Sequence, residues 1–545
     1  IIAIDEKFYA ENGEFHESGI GYPHYGSYSG IGSWAPLGVY YGGIFGRCSD
    51  HFASLAIRCI DNSERVTNYV NYCDQRLYYF RSDHDPANGP PNPNHDITQY
   101  PVDAPPHWSF VISAPGNMPG GLQINAIFGD EEMDGHGATC VGRWLAWRHL
   151  GAPTNGWFTS PRADVYGKSP WQSTIDSTEF ICWLMDYYPS RDTVYCEGET
   201  TGWTGGFEPY PSYLCMTALK CSAEMADAMG DSEKAAHWRS YADRIHHGMT
   251  NELTVTHNGN PAWQKRANSV YPSYQDTLAQ AWFSFYYDGL DPNVLHADLT
   301  EISRNTFDRQ INQPWEHAQV LGMGYGQGWL AKSALILDQM DDAGPLLMNL
   351  AKYSYDKNMD YVDEARGIDW RLYQWIIPEG ANILPDGSWY RISDLGNGAN
   401  QGIALHALEL CAGIDDTHPE TFKILPRTPA PLTGIIVRDF PVLVPEGAGL
   451  ARAKVDYSYT RYPPAFSLTS DRTLPTLSIR LGPYTQSEAT TISGTLLLPP
   501  GAVLRTEISG EYNGGDAYWI WVEGMTHVDS VTIPVPEPGL IFTIQ

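Results

Sequence analysis

The chain of 545 residues has no Cys-x-x-Cys pair, and no His-x-His or His-x-x-x-His pair. The first absence excludes a zinc knuckle, and the second predicts no catalytic metal. His246 and His247 are adjacent on a predicted helix, where neighbours point apart. The cysteines number nine, an odd count, and they are scattered, so no dense disulfide framework is implied. One or two bridges fit the early group Cys48, Cys59 and Cys73, while Cys140 and Cys221 sit on apolar helix faces as small hydrophobes. No apolar run reaches the roughly 18 residues that a membrane-spanning helix needs. Basic residues are scarce, 34 against 64 acidic ones, for a net charge of −30. A nucleic-acid partner is therefore not expected, because phosphate binding needs a basic surface. The acidic balance reads as solubility or as a salty or acidic habitat. Low-complexity sequence is absent, and a hydrophobic content of 42% argues against disorder.

The chain starts Ile1-Ile-Ala-Ile-Asp5 without a methionine. Removal of a leader or a trimmed start fits this, and a secreted, periplasmic or cell-surface location is expected over a cytoplasmic one. The sequence leaves the oligomeric state open.

What is present divides in two. Residues 1–49 are rich in Gly, Tyr and His and read as loops and short strands packed on the helical region. Helical periodicity begins near Asp50, pauses in a Pro- and Asn-rich loop over 82–106, and dominates from Asp134 to Gly413. Asp134 is placed to cap one helix, and Ser173 with Asp176 resembles a capping box for another that runs to Tyr188. Leu214, Ala218, Cys221, Met225 and Met229 share a face until Gly230 stops the run, and Ser232 starts the next. Further runs cover 272–288, 326–340, 342–357 and 399–412. Paired helices separated by turn-rich loops predict a mainly α architecture, an (α/α)6 toroid over 50–420. After about Lys423 the period becomes two, in segments such as Gly434-Ile-Ile-Val-Arg438, Pro475–Leu481, Thr491–Leu498 and Ala517–Val522. This predicts a C-terminal antiparallel β-sandwich over 421–545.

Carboxylates and tryptophans meet in the loops. Glu197-Gly-Glu199 lies ahead of Trp203, and Trp375-Ile-Ile-Pro-Glu379-Gly380 ahead of Arg391 and Asp394. Trp315-Glu316-His317 and Gln327 lie in a third such region. His136 sits between two glycines just after Asp134, where close backbone approach or a tight turn is implied. The plainer alternatives are a helix cap at Asp134, a salt-bridged surface loop at Glu197 and Glu199, and simple packing at Gln327. An acid, a base and aromatic walls are what cleavage of a sugar acetal needs. Glu197 or Glu199 is the candidate acid, Glu379 the base or nucleophile, and Asp134 the reserve. Trp203, Trp315 and Trp375 are candidate stacking platforms, and His136, Glu316, Gln327, Arg391 and Asp394 candidate hydroxyl contacts. No cofactor is expected, although a structural calcium is compatible with an acidic loop.

Asp134-Gly-His-Gly137 at a helix start, the Glu197-Gly-Glu199 loop leading into Tyr213–Ala226, and Ile377-Pro-Glu-Gly380 before Asp394-Leu-Gly-Asn-Gly398 together resemble the six-hairpin glycosidase superfamily over roughly residues 50–415. A toroid followed by a β-sandwich is similar to the layout of the α-L-rhamnosidases, whose general-acid motif the chain does not copy. The resemblance implies a glycoside hydrolase with a carbohydrate substrate. Two other classes share these features: a polysaccharide lyase that binds a uronate through Arg366 or Arg391, and a carbohydrate-binding protein without turnover.

Overall fold

The computed structural model describes residues 43–45, 57–58, 62–82, 105–106, 111–113, 126–128, 133–196, 206–264, 287–293, 297–311, 324–364, 368–369, 371, 374–375, 377, 380–383, 388–392 and 398–534. Helices α1 (Ser63–Ser82), α2 (Met133–His149), α3 (Pro170–Tyr187), α4 (Pro209–Ala228), α5 (Ser232–Glu252), α6 (Ala297–Ile311), α7 (Gly324–Ile336), α8 (Met340–Tyr353) and α9 (Gly398–Ala412) follow in chain order. The run expected over 272–288 lies almost wholly outside the described residues.

These helices differ in how much of their circumference is covered. Every residue of α2 is buried, and α4 is buried along nearly its whole length. By contrast α5, reading Ser-Glu-Lys-Ala-Ala-His-Trp, buries only Ala235, Trp238, Ala242, Ile245, Gly248 and Met249, a stripe at helical spacing. A helix covered all round needs few charges, and one with a single apolar stripe faces water. So α4 packs inside, against both α2 and α5, and α7 likewise packs against both α8 and α9.

Local signals set the helix ends. Ser169 caps α3, its hydroxyl accepting from the Gln172 amide at 3.1 Å, with Pro170 in the first turn. The start expected at Ser173 is corrected by one turn, because proline favours the first helical position, where its missing N–H costs nothing. Asp231 caps α5 through Lys234 N at 3.0 Å, and Gly230 ends α4 with φ of +78°. The run expected to continue to 340 stops at Ile336, because Asp338 turns into the left-handed region (φ +59°).

Short strands lie among the helices: β1 (Gly43–Phe45), β2 (Val111–Ser113) and β3 (Ala126–Phe128) form one small sheet, and β4 (Tyr195–Cys196) with β5 (Gly206–Phe207), β6 (Thr254–His257) with β7 (Asn260–Trp263), β8 (Val362–Asp363) with β9 (Ile368–Asp369), and β10 (Gly380–Ile383) with β11 (Trp389–Ile392) form antiparallel pairs. Seven strands then build the C-terminal sheet: β12 (Ile414–Asp415), β13 (Phe422–Ile424), β14 (Gly434–Glu446), β15 (Gly449–Thr460), β16 (Ala465–Tyr484), β17 (Val503–Tyr512) and β18 (Gly515–Ile533). The long β16 pairs with β15 through its first half, with β13 through Leu477–Ile479, and with β18 along most of its length. The β13–β16 pair is parallel, so the purely antiparallel sandwich expected is corrected to a mixed sheet. The reason is topological: β13 enters from the helical side before the run of hairpins begins. Nor is Thr491–Leu498 the strand expected. Residues Gln486–Thr495 form helix α10, with a capping box between Thr485 and Glu488. Ala489, Ile492 and Leu496 are buried at helical spacing, and this outweighs the period-two pattern.

Alternate residues of β18 face opposite ways. Ala517, Trp519 and Trp521 join the helical core, and Ile520 and Val522 join the apolar cluster of the sheet. A buried carboxylate ties the two. Arg480 grips Asp338 with two bonds of 2.7 and 2.8 Å, Arg427 Nε adds a third at 3.0 Å, and Ser509 donates a fourth at 2.7 Å. Asp338, Arg427 and Arg480 are fully buried. The Arg480 guanidinium lies 4.0 Å over the Trp519 ring, whose N–H donates to Ser509 O at 3.0 Å. Burial pushes the Asp338 carboxyl up, but Arg480, Arg427 and the hydrogen bonds outweigh it and hold it below the ordinary value of 3.8. A carboxylate depressed in the folded state contributes stability in full above the unfolded value, and loses it as pH falls through the folded one. Asp338→Asn should cost about 3–5 kcal/mol in urea unfolding at neutral pH, since it leaves two guanidinium groups uncompensated. It should also flatten the fall in stability below pH 3.8.

Candidate functional site

The Asp134-Gly-His-Gly137 motif opens α2. Asp134 is buried in the first turn of α2, which starts one residue earlier, and its Oδ1 accepts from the adjacent Gly135 amide at 2.9 Å, so it is not the cap expected. His136 is also buried. Its Nε2 lies 2.8 Å from the Ser177 carbonyl of α3, and its ring meets Phe180 edge-on at 5.3 Å. A carbonyl only accepts, so Nε2 carries the proton and is committed to the backbone. Through that bond His136 braces α2 against α3. The glycine after it has a packing reason, since a Cβ at Gly137 would stand 2.9 Å from the Leu214 carbonyl carbon and 3.0 Å from Cys215 N. Cys215 donates its thiol to Met133 O at 3.5 Å. Burial first, then Cys140 and Asp134, push that thiol well above its ordinary value. The first turn of α2 thus touches the early part of α4.

Glu197, Glu199 and Trp203 lie outside the described residues, but the base of their loop is described. Tyr195 pairs with Phe207 and Cys196 with Gly206, so the loop leaves and rejoins a two-residue ladder that leads into α4. An aromatic series supports this base. Phe180 stacks on Trp183 at 5.8 Å, Trp183 on Tyr187 at 4.7 Å, and Tyr188 on Tyr195 at 4.0 Å. Tyr187 and Tyr188 join the stacks edge-on at 5.0 Å, and Phe207 meets Tyr195 at 5.7 Å. Aromatic pairs of this geometry each contribute about 0.5–1.5 kcal/mol beyond area burial. Glu208, which sequence reasoning passed over, is buried at the start of α4. The signal for it was the Glu208-Pro209 step, a helix start with proline in its first turn.

Glu379 and Asp394 also lie outside the described residues, as do Trp315 and Glu316. Their neighbours pair in register: Gly380 with Ile392 and Ala381 with Arg391. The backbone of Arg391 is therefore brought to the end of the hairpin that Glu379 enters. Gln327 falls in the first turns of α7.

Trp375 is the candidate the structure describes most fully. It is 73% exposed, and its φ is +61°. Its ring lies 4.9 Å from that of Tyr355, inclined by 32°. Beneath the pair the backbone is clamped: Trp375 N donates to Ser354 O at 2.7 Å, and Asp356 N to the Gln374 side chain at 2.9 Å. A left-handed backbone at a non-glycine residue costs about 1–2 kcal/mol. An indole left in water forfeits its burial energy as well.

No protein-family model matches the chain, and no curated protein does either. Among solved structures it is similar to an α-L-rhamnosidase from Dictyoglumus thermophilum, with a TM-score of 0.42, 8% identity, and coverage of 88% of this chain and 46% of that one. It is similar to an α-L-rhamnosidase from Aspergillus terreus, with a TM-score of 0.41, 11% identity, and coverage of 90% and 46%. It is similar to a bacterial glucoamylase complexed with acarbose, with a TM-score of 0.40, 13% identity, and coverage of 68% and 49%. The chain thus spans about half the length of each.

The tight seat of Gly137 is open to test. Gly137→Ala must push α2 away from Leu214, and such overpacking typically costs about 1–3 kcal/mol. Urea unfolding should show a loss of that size.

Proposed function

We propose that the chain is a glycoside hydrolase. The observation that carries the reading is the exposed Trp375–Tyr355 pair, held by a strained backbone four residues before Glu379. A sugar ring presents an apolar face of C–H groups, and an indole face covers it at little entropic cost. Glu379 and one of Glu197 and Glu199 are the reacting carboxylates. One protonated carboxyl donates to the leaving oxygen, and the other carboxylate activates water or attacks the anomeric carbon. The aromatic series around Tyr195 and Phe207 makes rigid the two points between which residues 197–205 run, which supports the choice of a glutamate from that segment. Arg391, on the hairpin next to Glu379, is suited to hydroxyl recognition. Asp134 ranks below the glutamates, because one of its oxygens is engaged by the Gly135 amide in a buried setting.

Four variants test the parts separately. Trp375→Gly keeps a left-handed backbone accessible and removes the ring. Its thermal midpoint should stay close to wild type, while KM for an oligosaccharide rises about tenfold, roughly what an aromatic contact supplies. Glu379→Gln should lower kcat by about 10²–10⁴-fold at an unchanged thermal midpoint, and Gln at one of 197 and 199 should do the same. Activity is read as reducing-sugar release from a panel of oligosaccharides and aryl glycosides. Wild-type rates in all three Glu→Gln variants would sink the assignment. An ultraviolet-absorbing unsaturated product would make the chain a lyase, and binding without turnover a carbohydrate-binding protein.

A further inference from the structure

Glu179 and Cys182 stand three residues apart on α3, so they share a face of that helix. His237 of α5 meets them there. The Cys182 sulfur, a Glu179 carboxylate oxygen and a His237 ring nitrogen all lie within 4.8 Å of one another. His237 Nε2 and Glu179 Oε2 are 3.7 Å apart. Among the described residues no other three Asp, Glu, His or Cys side chains converge as closely.

The donor set is selective. Calcium and magnesium want oxygen throughout, and a thiol serves them poorly. A thiolate, an imidazole and a carboxylate are what zinc and its neighbours in the transition series take. The surroundings are arranged for such an ion. The Trp238 indole N–H donates to Glu179 Oε1 at 3.0 Å, which leaves Oε2 as the oxygen turned toward His237. The Tyr241 ring meets His237 at 5.1 Å and fixes its plane. Outer contacts of this kind orient metal ligands. Cys182 closes the inner side, being buried, while the side chains of Glu179 and His237 are 32% and 44% exposed. An ion can therefore enter from solvent and keep a water as its fourth ligand. Lys234 and Arg244 are the cations nearby. The Lys234 ammonium is 3.8 Å from Oε1, the oxygen already held by Trp238, and Arg244 is bonded to Asp186 and Asp192.

We propose that Glu179, Cys182 and His237 bind one divalent transition-metal ion, zinc foremost, and so tie α3 to α5. Zinc bond lengths place tetrahedral ligands about 3.5 Å apart, so the widest separation closes by about 1 Å on binding. Two of the three side chains are at the surface and free to make that movement. The site has a sulfur–metal bond to form and a sulfur–hydrogen bond to break, with the proton released to water. Burial first, then Glu179 and Asp186, raise the Cys182 thiol above its ordinary value. This role is structural, and it stands whether or not the chain cleaves sugars.

The test uses the full chain stripped with a chelator and then titrated with zinc chloride against a chromophoric competitor. One equivalent should bind and raise the thermal midpoint. Cobalt should give a thiolate-to-metal charge-transfer band in the near ultraviolet. Cys182→Ser should abolish that band, and both it and His237→Ala should weaken zinc at least tenfold and cancel the thermal shift. His237 is a surface side chain, so its variant stays folded even where the cysteine variant does not. Absence of a stoichiometric zinc ion from the wild-type chain overturns the proposal, as does unchanged affinity in His237→Ala. A charge-transfer band that survives in Cys182→Ser overturns it too, by assigning the metal to another thiol.

Discussion

Where α7 ends, a single carboxylate is shared by two guanidinium groups, and the join between helices and sheet is organised around that sharing. Asp338 alone, buried without a cation, would be too costly to keep ionised. Arg427 or Arg480 alone would be equally costly. The shared carboxylate offsets one of the two positive charges, and Ser509 donates to Oδ2, the oxygen that Arg480 Nη1 also holds. The backbone is part of the arrangement. Asp338 adopts a positive φ, its carbonyl accepts from Glu511 N at 3.0 Å, and a Cβ at Gly510 would stand 2.0 Å from that carbonyl oxygen. Each participant comes from a different stretch of chain, so none can form the contact until the others have arrived. A buried ion pair of this type adds little net stability over a well-packed apolar equivalent. What it adds is a defined alignment of β16 and β17 on the end of α7.

The same logic of close approach explains the start of α2. A glycine there reflects contact with α4 rather than a flexible catalytic loop, and the histidine beside it is a brace. Lys332 and His406 are a parallel case between α7 and α9. They are fully buried, with Lys332 Nζ 2.9 Å from His406 Nδ1. Burial, and for His406 also the neighbouring Lys332, depress both well below their ordinary values. Such polar pairs inside a helical layer fix which helices meet.

Much of the helical plan was legible in the sequence because amphipathic stripes and glycine stops act locally. Asp231, Gly230 and the stripe of α5 need no tertiary information to be read. The sheet was legible for the same reason, through its period of two. Non-local competition defeated the reading elsewhere. Thr491–Leu498 satisfies both periods, and the Thr485–Glu488 capping box decided for a helix. The parallel pairing of β13 has no local signature at all. In the candidate site, Trp375 was recognisable as an aromatic in a turn, yet its exposure and left-handed backbone are tertiary facts. The glycines around His136 signalled close backbone approach, and the structure supplies the neighbour, Leu214 against Gly137, which the sequence cannot name. The Glu179–Cys182–His237 cluster escaped a search built on histidine pairs, because its third member sits on the next helix but one.

Strand β13 is a connector that became part of the sheet. It follows α9 and β12 directly and lies along Leu477–Ile479 of β16, opposite β18. Without it, that stretch of β16 would present unpaired backbone N–H and C=O groups along a hydrophobic strand. Such an edge is a template for the β-strand of another molecule. The helical half therefore supplies, through a three-residue strand, the pairing that covers this stretch of β16, while β14 and β17 remain edges elsewhere in the sheet. A chain released from synthesis with its sheet complete but this segment undocked would be at its most sticky. The link between the two halves is thus also the cover for that stretch of backbone.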